Sequence, residues 1–195
     1  IHDRRQRQMC IRDRNISKTT KEMISAGATG IHIEDQVSEK RCGHRPNKEI
    51  VSKNEMCDRI KASRDSVDNE DFMLMARTDS FAKEGINGVI DRANQYVDAG
   101  ANALFPEAII TLEDYKILCS AINVPVLANI TEFGMTPLFS KNELKDSGIS
   151  LILHPLSAFR AMSKAALEVY TAISNEGNVE DLSLIHISEP TRRTS

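Results

Sequence analysis

The sequence predicts a parallel α/β fold, a (β/α)8 barrel of which about five of the eight strands are present. Two observations set the class. Short apolar runs alternate with helical patterns, and no hairpin signal joins any two of them, as expected for strands linked by crossover helices. The runs are continuously apolar rather than alternating, which fits strands covered on both faces. A third observation chooses the barrel. Each run is followed by polar or charged residues, and the C-terminal ends of barrel strands form a shared active-site face. An open doubly wound sheet would gather its ligand groups at one switch point, and the chain holds no Gly-x-Gly-x-x-Gly or P-loop for a nucleotide.

Three of the strands come from a phrase that returns along the chain: MISAGATGIHIED at 23–35, YVDAGANALFPEA at 96–108 and LKDSGISLILHPL at 144–156. Each has a helical tail, a glycine, a short apolar run and then polar residues or proline. Gly27, Gly100 and Gly148 suit the left-handed residue that closes a helix, and the short connection suits an αβ unit. Phe72–Ala76 and Val124–Ala128 are the other two strands. Helical periodicity covers Ile16–Ala26, Ser52–Arg64, Gly88–Ala99, Leu112–Ala121, Lys141–Ser147 and Ala158–Ser174, and Ser52 followed by Glu55 predicts a capping box.

The two ends read differently. Residues 1–14 carry five arginines against two aspartates with little hydrophobic period, and residues 183–195 show no pattern that could pack. Both resemble translated sequencing-adaptor read-through, so the expected organisation is a non-native tail over 1–14, a partial barrel domain over 15–182 and a second non-native tail over 183–195. The ends contribute +3 and +1 to a net charge of −3, which leaves the central stretch at −7. An acidic domain is a poor partner for nucleic acid or an anionic membrane. No apolar run approaches the roughly 20 residues of a membrane span. The four cysteines, Cys10, Cys42, Cys57 and Cys119, form no Cys-x-x-Cys pair, which points to reduced thiols in a cytoplasmic or organelle-matrix compartment.

Candidate chemistry sits at the strand ends. In Lys40-Arg41-Cys42-Gly43-His44-Arg45 a thiol lies among three cations and a histidine, which reads either as a poised acid or nucleophile or as a basic surface loop with an incidental cysteine. Cys57 and Cys119 fall inside helical patterns and read as structural. Glu34, Asp35 and Asp79 are candidates for a hard cation such as Mg²⁺, although paired carboxylates also serve as caps or ion-pair partners. Arg77 and Arg160 read as forks for an anionic substrate, with a surface salt bridge as the alternative. Asn129 and Thr131 could donate hydrogen bonds to a substrate carboxylate. His32 reads as a core histidine inside its strand, and Met73 and Met75 as core.

Six motifs in order, HIEDQ at 32–36, KRCGHR at 40–45, MARTD at 75–79, FPEA at 105–108, NITEFGMTPLF at 129–139 and PLSAFRAM at 155–162, resemble the 2-methylisocitrate lyases of the isocitrate lyase and phosphoenolpyruvate mutase superfamily. The resemblance runs over about residues 15–182. It implies a (β/α)8 barrel, usually a homotetramer that exchanges a C-terminal helix. It also implies Mg²⁺-dependent cleavage of a small tricarboxylate, 2-methylisocitrate, to pyruvate and succinate in the 2-methylcitrate cycle of propionate catabolism. By the same resemblance Cys42 is the catalytic acid and contacts substrate. Gly43, Arg77, Glu107, Asn129, Ile130, Thr131 and Arg160 line the substrate pocket, and Glu34 reaches the metal through water. The location implied is the cytoplasm, or the mitochondrial matrix in a eukaryote. The family's principal Mg²⁺ ligands have no counterpart in 15–182, so this chain alone is expected to be inactive and poorly folded, with an open strand edge. A 2,3-dimethylmalate lyase, another lyase of the superfamily, a non-catalytic truncated subunit and a metabolite-binding barrel are the rival readings.

Overall fold

The computed structural model describes residues 2–69 and 71–177. The predicted tail at 183–195 lies outside the described residues. The chain divides into two units, 1–154 and 155–195. In the first unit the order is α1 (His2–Ser25), β1 (Gly30–Glu34), α2 (Lys53–Arg64), β2 (Met73–Thr78), α3 (Phe81–Asp98), β3 (Ala103–Pro106), α4 (Leu112–Ala121), β4 (Leu127–Asn129), α5 (Lys141–Asp146) and β5 (Leu151–Leu153). The second unit is described through α6 (Ser157–Glu176).

All strand pairs are parallel and follow chain order. Gly30 of β1 pairs with Met73 of β2, and Met75 of β2 with Ala103 of β3. Leu127 of β4 pairs with Leu151 of β5. A single parallel bridge, Leu104 to Val126, links the two sets. This is the strand order of a barrel wall, and among the described residues it does not close. Apolar side chains divide between the faces as the strand period requires. Leu74, Ala76, Leu104, Val126 and Ala128 face the helices and pack with Met56, Ile60, Val89, Ala93, Tyr96, Tyr115 and Leu118. Met75, Ala103 and Phe105 face the opposite way, with Met73, Leu127 and Leu151 beside them. Burying one such Leu or Met removes it from water at a gain of about 1.5–3 kcal/mol, so the helix-facing layer dominates stability.

Local chemistry explains most boundaries. Gly27, Gly100 and Gly148 close their helices at φ 89°, 112° and 89°, as the sequence predicts. Strand β2 runs on to Thr78, which brings Arg77 into the sheet. Strand β4 starts late, because Pro125 has no N–H and joins only through its carbonyl, which accepts from Leu104 N at 2.9 Å. Helix α3 begins at Phe81 rather than Gly88, with a break at Gly85 (φ 63°, ψ −173°). The helix placed at Ile16–Ala26 instead runs over His2–Ser25. Residues 2–14 hold no glycine or proline and are rich in arginine and glutamine, both good helix formers. Arg12 within it pairs with Glu55 at 3.1 Å. The Ser52 capping box forms only half. Ser52 Oγ accepts from Glu55 N at 3.2 Å, but the Glu55 carboxylate is drawn to Arg59 at 2.9 Å. No described helix is long and apolar enough to cross a membrane.

Candidate active site

Register assembles the site. Glu34 pairs with Arg77 across β1 and β2, and Arg77 with Phe105 across β2 and β3, so the three side chains share the inner face. The Arg77 guanidinium is divided among three carboxylates. Its Nε lies 3.3 Å from Glu34 and 3.0 Å from Asp79, and its Nη2 lies 2.9 Å from Glu107. It also sits over the Phe105 ring, 4.9 Å from the centroid, a placement that favours a cation.

Glu107 is 2% exposed and accepts hydrogen bonds from Asn129 Nδ2 at 3.3 and 3.4 Å. His44 Nε2 approaches Glu107 Oε1 at 3.2 Å, while His44 Nδ1 accepts from Met135 N at 3.0 Å. That second bond occupies the Nδ1 lone pair and assigns the proton to Nε2, where it donates to Glu107. Asn129 Oδ1 is buried with no hydrogen-bond partner. A buried acceptor left open at the mouth of a strand suits an incoming donor, because leaving it unmet costs on the order of 1–3 kcal/mol.

Gly43 lies against this cluster. A Cβ built there would collide with the Glu107 carboxyl and the Arg77 guanidinium, so only glycine lets the backbone come so close. The preceding Cys42 is exposed and free, on a turn closed by Arg45 N donating to Cys42 O at 2.9 Å. Lys40 turns away to Glu34 at 2.8 Å.

Residues 11–174 match the family described as phosphoenolpyruvate phosphomutase. The chain belongs to the phosphoenolpyruvate phosphomutase family. It is 57% identical over 163 residues to the 2-methylisocitrate lyase of Escherichia coli K12, covering 84% of this chain and 55% of that protein. Among solved structures, oxaloacetate acetylhydrolase with 3,3-difluorooxalacetate superposes with a TM-score of 0.79 at 30% identity, over 85% of this chain and 57% of that one. A 2,3-dimethylmalate lyase superposes at 0.78 and 31% identity, over 87% and 56%. The chain therefore spans little more than half the length of the family members it matches.

In this member of the phosphoenolpyruvate phosphomutase family, Glu34, Gly43, Arg77, Glu107 and Asn129 meet in one cluster, and Cys42 borders it in the chain. Ile130 follows Asn129 and donates its N–H to Leu153 O at 2.8 Å, but its side chain lies in the helix-facing core. Thr131 is 8% exposed and starts a turn, Gly134 N to Thr131 O at 3.1 Å, that passes beside His44. Arg160 belongs to the second unit, on the first turn of α6, its N–H bonded to Leu156 O at 2.8 Å.

Two expectations are corrected. Asp35 is not a neighbour of Glu34 in function, because one residue along a strand reverses the face. Asp35 is fully buried on the helix side, where it accepts from Thr78 Oγ1 at 2.7 Å, Asp79 N at 2.9 Å and Tyr96 OH at 2.9 Å, with Arg92 at 3.4 Å. Burial pushes its pKa up, against the pull of those hydrogen bonds and the Arg92 charge. His32 is not a core histidine. It is exposed on the inner face, edge-on to Phe105 at 5.8 Å between centroids.

Asp79 is enclosed by cations. Burial works to raise its pKa, but the hydrogen bond and charge of Arg77 and the charge of Lys48 take it below the ordinary carboxylate range. Among the described residues no group of three or more histidine, cysteine, aspartate or glutamate side chains could hold a metal ion. Glu34, flanked by Lys40 and Arg77, offers a single carboxylate. These residues do not make up a Mg²⁺ centre. The sequence reading omitted His44 from the site, although it stands two residues after Cys42. It also omitted Gln36 and Lys48, whose roles depend on contacts that spacing does not reveal.

Proposed function

We propose that this chain supplies the Arg77 half of the active site of a carbon–carbon lyase that cleaves 2-methylisocitrate to pyruvate and succinate. One observation carries the reading. A half-buried guanidinium, the nearby open acceptor of Asn129 and the Gly43 backbone converge at the strand ends, next to a free thiol, in a chain 57% identical to a 2-methylisocitrate lyase.

Arg77 binds and orients a substrate carboxylate, while the open Oδ1 of Asn129 accepts from a substrate donor such as its hydroxyl. Ile130, Thr131 and Arg160 keep the substrate-binding roles that the family resemblance implies. Glu107, held by Arg77, His44 and Asn129, fixes the position of the guanidinium. Loss of the substrate hydroxyl proton makes the pyruvate carbonyl as the carbon–carbon bond breaks. The bond's electron pair stays on the succinate fragment, and the Cys42 thiol protonates that carbanion. In the whole enzyme the familial cation, Mg²⁺, for which the described residues of this chain make no centre, would supply positive charge to the developing keto acid, and Glu34 would reach it only through water.

We propose further that the chain by itself is inactive, that the whole enzyme is a cytoplasmic homotetramer, and that it serves propionate catabolism. The test is a graft of residues 15–174 into the matching place of the Escherichia coli relative. The graft should release pyruvate from 2-methylisocitrate with Mg²⁺ present, and Cys42→Ser should abolish release while sparing the fold. A strong preference for 2,3-dimethylmalate would replace the substrate, and an inactive but folded graft would remove the reading.

A further inference from the structure

The loop that carries Cys42 and Gly43 has more anchorage than a basic surface loop requires. Its neck is zipped. Gln36 forms an antiparallel bridge with Ile50, and Val37 N donates to Glu49 O at 3.1 Å. Inside the neck, Gln36 is 3% exposed and grips the backbone of one residue, Arg41, at both its N–H and its carbonyl. Its Nε2 donates to Arg41 O at 2.9 Å, and its Oε1 accepts from Arg41 N at 2.9 Å.

From the other side Lys48, 6% exposed, donates to Gly43 O and to Asp79 Oδ1 at 3.2 Å. Asp79 is the common post. It sits at the end of β2, receives Lys48 and Arg77, and has its own N–H fixed by Asp35 at 2.9 Å. A lysine this buried gives up much hydration, which is sustained only where its donors are met. Here one donor is spent on a backbone carbonyl of the loop, next to the glycine that touches Arg77 and Glu107.

We propose that Gln36, Lys48 and Asp79 form a clamp that positions the Lys40–Arg45 loop, holding Gly43 on the Arg77–Glu107 pair and thereby setting where the Cys42 thiol stands. The clamp residues act through the loop and are positioning residues. The consequence for chemistry rests on the lyase reading of Cys42, but the clamp itself does not.

Limited trypsin digestion of the 195-residue chain, with cuts mapped by mass spectrometry, tests it without turnover. A failed clamp and a failed lyase reading therefore give different results. Lys48→Met should speed cutting after Lys40 and Arg41 by roughly tenfold or more, as expected when a buried anchor is removed from a local opening. Cutting after Lys116 in α4 should be unchanged, and Lys48→Arg should restore most of the protection. Gln36→Leu, which leaves both charges of the Lys48–Asp79 pair in place, should give the same local rise, and it carries the test if Lys48→Met fails to fold. Unchanged loop cutting in both variants, or equal acceleration at Lys116, would overturn the clamp.

Discussion

Two buried charge clusters lie back to back in this protein, divided by the β1–β2 pair, and they are built to different standards. On the helix side Asp35 meets Thr78, Tyr96, the Asp79 amide and Arg92, while Arg92 meets Glu84 at 2.7 Å and Val51 O at 3.1 Å. On the inner side Arg77 is shared by Glu34, Asp79 and Glu107, and Asn129 Oδ1 has nothing to accept. The first cluster is saturated and, apart from the exposed Glu84, enclosed by core. The second keeps an open acceptor and a guanidinium whose partners compete for it. A saturated cluster holds a fold together, and an unsaturated one is ready to exchange an internal partner for a ligand. Both contain arginine and carboxylate in adjacent stretches of sequence, so composition alone does not distinguish them.

The largest effect that sharpens this contrast is on stability. Asp35→Ala leaves three hydrogen-bond donors and part of the Arg92 charge unmet in the core, and should cost about 4 kcal/mol in urea unfolding. A loss under about 1 kcal/mol would mean that the helix-side cluster is not structural.

A smaller effect separates the clusters by the sign of their pH dependence. Asp79 has a lowered pKa when folded, so the stability it contributes is present above the unfolded value of about 3.9 and is lost as pH falls through its folded value. Asp35 has a raised pKa, so the folded state keeps its proton longer. Its contribution is full below about 3.9 and declines as pH rises through its folded value. Subtracting the unfolding free energies of Asp79→Asn and Asp35→Asn from that of the parent chain across acid pH should therefore give slopes of opposite sign. Slopes of one sign would break the contrast.

The sequence made the inner face easier to read than the outer one. Arg77, Glu107 and Asn129 follow apolar runs, where a polar residue at a strand end is conspicuous, and Gly43 sits beside a cysteine in a dense basic motif. Glu34 and Asp35 looked equivalent because neighbouring residues differ only in the face they take, and that depends on where β1 ends. Arg92 and Tyr96 gave no signal, since an arginine and a tyrosine four apart on α3 resemble any amphipathic helix until Asp35 is seen between them. Lys48 and Gln36 lie in irregular chain, where no period fixes a direction, and only the folded loop reveals their common target. Arg160 was legible as a cation after a strand, but it stands on α6 in the other unit.

The most direct measurement is a matched pair of arginine replacements in the grafted enzyme, each followed by turnover and by thermal unfolding. Arg77→Lys keeps the charge but loses the fork, and should lower kcat/KM by about a hundredfold with little change in Tm. Arg92→Lys breaks the saturated cluster, and should lower Tm by several degrees while kcat/KM stays within about threefold of the parent graft. The reverse pattern, activity tied to Arg92 and stability to Arg77, would contradict the assignment of the inner cluster as the substrate site.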